Sequence, residues 1–228
     1  MYLWKCWRET RAFCIVFLII AAAAMPVPAA LAEGTQLVEQ FGAGAFQSAM
    51  ALILNGVAVG LGAISALHEF DDDTIHFLFT KPRSRAFFFW GGWVVGCAEL
   101  LVVGFVNVLS GWLTLSRHSR HPFTAEVFAP LKAQQFVEVI VYSMFFYTLT
   151  YALTAVFRNG LKGLGASLGV MLGAPGVAIA ARLRWNVRLP IPVNQIGGLP
   201  WGASGAAWLL IALCVAYGAQ MVVERAEV

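Results

Sequence analysis

The sequence predicts an all-α integral membrane protein, and three observations carry that expectation. Of 228 residues, 60% are hydrophobic and 12% are Asp, Glu, Lys or Arg, where a soluble domain carries about 25% charged residues. Mean hydropathy is +0.75. Several apolar runs match the roughly 20 residues a helix needs to cross the hydrocarbon core. The alternation of a barrel strand is absent, so each crossing segment must satisfy its backbone within a helix. The net charge of +3 is small, and basic residues on such a chain report topology rather than nucleic-acid binding.

Six membrane segments follow in one domain, 1–228. The first, 12–32, comes after Lys5, Arg8 and Arg11 and before Glu33 and Glu39, which places the N-terminus in the cytoplasm. The same stretch, with "KCWRETR" before it and "ALA" at its end, has the form of a secretory signal peptide. Its apolar run is long for that purpose, which favours an uncleaved helix. The second segment, 44–67, carries Gly56 and Gly60. The third, 86–115, exceeds a straight crossing and must tilt or continue past the bilayer. It holds Glu99 and, two turns on, Asn107. The fourth, 133–156, has Glu138 near its outer end. The fifth, 161–181, carries Gly165, Gly169 and Gly173, followed by Pro175. The sixth is 204–223. Pro26, Pro28 and Pro175 are expected to kink their segments or end them early. The loop from Arg182 to Ala203 is rich in Pro and Gly and reads as turns.

With the N-terminus inside, Lys5, Arg8, Arg11, Lys81, Arg83, Arg85, Arg158, Lys162 and Arg225 are cytoplasmic, nine against six outside. Both termini then face the cytoplasm. Intramembrane Glu99, Asn107 and Glu138 are candidates for a substrate path, because an ionisable group in a bilayer is costly. Small residues at helical spacing let helices approach closely, within a subunit or between two. The four cysteines form no CxxC pair and read as small hydrophobes. "RHSRHPF" sets His118 and His121 beside arginines, which suits phosphate headgroups better than a metal. No metal site is expected.

The stretch "HEFDDDTIHFLFTKPRSRAF" (68–87) concentrates charge between two apolar runs. Read as a helix over 69–80, it places Phe70, Thr74, Ile75, Phe77, Leu78 and Phe79 on one arc, and Asp72, Asp73, His76 and Thr80 opposite. Asp71, Asp72 and Asp73 occupy its first turn, where the helix dipole favours negative charge. Pro82 ends it. Such a helix lies along a membrane surface rather than across it.

This stretch resembles the loop between helices two and three of ABC-2 type ABC transporter permeases. There a Glu opens a short cytoplasmic helix with an acidic cluster and a Thr, and a Pro-x-[Ser/Thr]-Arg element precedes the third crossing. The matching residues are Glu69, Asp71, Asp72, Asp73, Thr74, Pro82, Ser84 and Arg85. "VFRNGLKG" (156–163) is similar to that family's inner loop between helices four and five. His68 departs from the usual basic residue, and Gly91 and Gly92 stand where a Lys is often found.

The resemblance implies a mechanism. Such permeases pair, as two copies or as paralogues, and each binds a cytoplasmic ATPase subunit through this coupling helix. Glu69, Phe70, the three aspartates, Thr74, Phe77, Leu78, Pro82 and Arg85 would form that contact. The chain has no G-x-x-x-x-G-K-[S/T] loop, so ATP and Mg would belong to the partner and this subunit would be non-catalytic, with no cofactor of its own. The expectation is a permease of the cytoplasmic membrane, most simply an exporter, among membrane lipids. The alternative is an intramembrane enzyme or metal-handling protein using Glu99, Glu138 and the histidines, although HExxH and GxSxG are absent.

Overall fold

The computed structural model describes residues 2–24, 26, 51–67, 85–118, 133–185 and 201–225. They form helices and short turns, with no strand among the described residues. The helices are α1 (Tyr2–Ala23), α2 (Ala51–Leu67), α3 (Arg85–His118), α4 (Ala133–Phe157), α5 (Gly160–Trp185) and α6 (Trp201–Arg225). Segment 68–84, which contains the expected coupling helix 69–80, lies outside the described residues, as does 44–50 of the expected second segment.

Helix α1 begins ten residues before the membrane segment expected at 12–32. Hydropathy reports only the apolar part of a helix. The polar residues before it contain no Gly or Pro, and Lys5 pairs with Glu9 one turn later at 3.7 Å, a spacing that supports helix. The helix closes ahead of Pro26, with Ala24 N donating to Ile20 O at 2.9 Å. Helix α5 instead runs unbroken through Pro175. The bounds of α3, α4, α5 and α6 lie within four residues of expectation, while residues 27–32 of the expected first segment lie outside the described residues.

Among the described residues, three stretches are long and apolar enough to cross a membrane: Ala86–Gly111, Val139–Phe157 and Ala206–Arg225. Ala51–Leu67 is apolar but shorter.

Helix α4 is the centre of the bundle. It packs extensively on both α5 and α6, while α1 lies against α3. Its apolar part is 72% buried, against 33% for that of α6. Within α4, Ser143 and Thr150 donate to Val139 O and Phe146 O, each at 2.8 Å, one turn back along the helix.

Side-chain pairings set the helix directions. Tyr151 Oη donates to Phe89 O at 2.8 Å, and Tyr147 Oη to Trp93 O at 3.2 Å, so α3 and α4 are antiparallel. Thr10 meets Glu99 and Ser110 Oγ donates to Ala22 O, so α1 and α3 are parallel. Asn55 meets Ser143, and Gly62 meets the Tyr147–Tyr151 backbone, so α2 and α4 are parallel.

The α4–α5 link is two residues. Arg158 takes the left-handed conformation, φ 50°, which reverses the chain. Asn159 then caps α5, its Oδ1 accepting from Lys162 N at 3.1 Å, an N-cap that Asn suits well. The "VFRNGLKG" motif is this turn.

Candidate functional site

Glu99 lies close to the middle of Ala86–Gly111, about 20 Å along the axis from Ala86. It is 4% exposed. The Thr10 hydroxyl donates to its Oε1 at 2.5 Å and also lies 3.0 Å from Cys6 O. Glu99 Oε2 has no hydrogen-bond partner among the described residues. A buried polar atom left unpaired costs about 1–3 kcal/mol, so this carboxyl is only half satisfied.

Beside the Thr10 contact, Glu99 lines a groove between α1 and α3 of about 780 Å³, whose lining also includes Trp7, Arg11, Ile15, Leu18, Val94 and Val102. From sequence, Arg11 reads only as a topology charge, and Thr10 gives no signal at all. Their pairing with residue 99 is a matter of helix register, which hydropathy does not encode.

Asn107, on the same helix as Glu99, is buried and is not among the residues that line this groove. Glu138 lies in α4, one residue before the apolar stretch Val139–Phe157. The expected ATPase-contact residues Glu69 to Leu78 and Pro82 lie outside the described residues, while Arg85 is the first residue of α3. Among the described residues no group of three or more His, Cys, Asp or Glu converges.

Aromatic side chains cluster at one end of the bundle. Trp4 and Trp7 lie with ring centroids 4.9 Å apart, tilted by 37°, on the exposed face of α1. Trp90 and Trp93 meet edge-on at 5.5 Å. Their indole N–H groups donate to Gln220 Oε1 at 2.7 Å and Thr148 Oγ1 at 3.1 Å. The same end holds Lys5 and Arg8 on α1 and Arg225 at the end of α6.

The glycines divide into two groups. Gly60 meets the Phe17 ring, Gly62 the α4 backbone, Gly96 the Tyr147 phenol and Gly163 the Thr154 side chain. These are close approaches within the subunit. Nothing lies within 4 Å of a Cβ built on Gly56, Gly165, Gly169 or Gly173. On α5 the tandem shares its surroundings with exposed Leu161, Leu172 and Leu183.

A family model described as ABC-2 family transporter protein matches residues 4–173, from the start of α1 to the middle of α5. No curated protein and no solved structure matches. The match covers most of the chain and includes the α1–α3 groove and the whole α4 core: this membrane protein belongs to the ABC-2 family of transporter proteins.

Proposed function

We propose that the chain is the membrane-spanning permease subunit of an ABC exporter, crossing the cytoplasmic membrane six times with both termini in the cytoplasm. The family match carries this reading. The helix directions support it: the parallel pairs α1/α3 and α2/α4 and the antiparallel pair α3/α4 are those of a chain that crosses back and forth. ATP, with Mg, is hydrolysed by a separate ATPase subunit, and this subunit is not catalytic.

Residues 69–80 form the coupling helix. Asp71, Asp72 and Asp73 steer it against a basic rim of the ATPase, and Phe70, Phe77 and Leu78 anchor its apolar arc. Glu69, Thr74, Pro82 and Arg85 complete the contact. A second copy or paralogue completes the transporter, with the open Gly165/Gly169/Gly173 face of α5 available for close packing. Glu99, Asn107 and Glu138 supply the polar groups of a substrate path.

The test is co-purification with the ATPase subunit before and after replacing Asp71, Asp72, Asp73 and Phe77 by alanine. Loss of ATPase association, with the membrane domain still folded, is expected. Association and transport that both survive the four changes refute the coupling assignment.

A further inference from the structure

The polar start of α1 runs beside an apolar stretch of α3. Thr10 is level with Glu99, and Ala22 with Ser110. An offset of 89 residues therefore sets Lys5 level with residue 94 and Arg11 with residue 100, both inside Ala86–Gly111. Lys5 has Glu9 as its partner. Arg8 and Arg11 are exposed and make no ion pair or hydrogen bond among the described residues. A guanidinium at such a level reaches toward the interface or draws headgroups and water inward.

Arg11 also forms one wall of the α1–α3 groove, and Glu99 another. Glu99 is more than nine-tenths buried, with Oε2 unpartnered. Ile15, Leu18, Val94 and Val102 give the groove an aliphatic wall. One groove thus offers a cation, a buried acceptor and an apolar channel. The amphiphile that complements all three carries a phosphate, an N–H donor and an acyl chain.

We infer that this groove binds one glycerophospholipid with a primary ammonium head, of the ethanolamine type. Its phosphate rests on Arg11, its ammonium turns toward Glu99, and one acyl chain runs along Ile15, Leu18 and Val102. A purely anionic lipid would satisfy Arg11 but leave the Glu99 acceptor without a cationic donor. A choline head has no N–H to give. The inference rests on the groove and not on ATPase docking, so either can fail while the other stands.

The experiment is native mass spectrometry of the purified full chain, titrated with phosphatidylethanolamine, phosphatidylcholine or phosphatidylglycerol of identical acyl chains. The wild type is expected to retain the ethanolamine lipid about tenfold better than the choline lipid, the effect of one hydrogen bond to a charged group. Arg11→Gln loses retention of all three, while Arg8→Gln, outside the groove, behaves as wild type. Glu99→Gln keeps an acceptor for Thr10 and erases the ethanolamine-over-choline preference. Equal retention of the ethanolamine and choline lipids by wild type overturns the inference. So does preference for the glycerol lipid, an Arg11→Gln protein that binds as wild type, or an Arg8→Gln protein that loses as much as Arg11→Gln. If Glu99→Gln does not fold, the three-lipid comparison on wild type decides alone.

Discussion

Replacing Gly62 by alanine places a methyl group where α2 crosses α4. The new Cβ would lie 2.6 Å from Tyr147 O, 3.0 Å from Thr150 Cβ and 3.1 Å from Tyr151 N. Ordinary contact begins at 3.4 Å, so the two backbones must part locally by about 0.8 Å (3.4 minus 2.6). Two of the three neighbours are main-chain atoms, which no rotamer change can move. Overpacking of this kind costs about 1–3 kcal/mol. Tyr147 and Tyr151 are both 0% exposed, and their hydroxyls tie α4 to α3, so displacement of α4 strains that contact too. Alanine also returns up to about 1 kcal/mol of helix propensity. The net expectation is a loss of about 1–2 kcal/mol. Gly56→Ala is the internal control: nothing lies within 4 Å of its Cβ, so only the propensity gain remains. The assay is reversible unfolding of the purified full chain by SDS titration from mixed micelles, followed by tryptophan fluorescence. A Gly62→Ala protein as stable as wild type, or a Gly56→Ala protein that loses as much, would refute the close approach of α2 and α4.

Thr10→Val removes the donor to Glu99 and leaves a buried carboxyl with neither oxygen partnered, a loss of about 1–3 kcal/mol. The double-mutant cycle with Glu99→Leu should show coupling of about 0.5 kcal/mol or more, and simple additivity would disprove the contact. Tyr151→Phe deletes the 2.8 Å bond to Phe89 O and should cost about 1 kcal/mol or more, since the carbonyl is left buried; no change in the unfolding midpoint would contradict that bond. At the α4–α5 turn, Asn159→Ala should cost about 1 kcal/mol as a lost cap. Arg158→Gly should be neutral or stabilising, because glycine adopts φ 50° without a Cβ penalty. Opposite signs for the two turn variants are the informative outcome in thermal melts.

Composition and the spacing of apolar runs were enough to identify a helical membrane protein and to place α3, α4, α5 and α6 within a few residues of their observed ends. Both are local properties: a helix satisfies its own backbone and needs no partner to declare itself. The loop at "VFRNGLKG" was legible only through its resemblance to the family's inner loop; that Asn159 caps α5 came from the structure. Other features depended on side chains far apart in the chain. Glycines at 56 and 60 look alike in a pattern, yet only Gly60 meets a neighbour; Gly62, outside the pattern, is the tightest approach of α2 to α4. Glu99 stood out as a buried charge, but its partner Thr10 is 89 residues away, and Arg11 could be counted only as a topology charge. Which face of one helix meets which face of another depends on the rotation and axial register of both. Hydropathy along the chain contains neither, so only the packed structure could join Thr10, Arg11 and Glu99 into one groove.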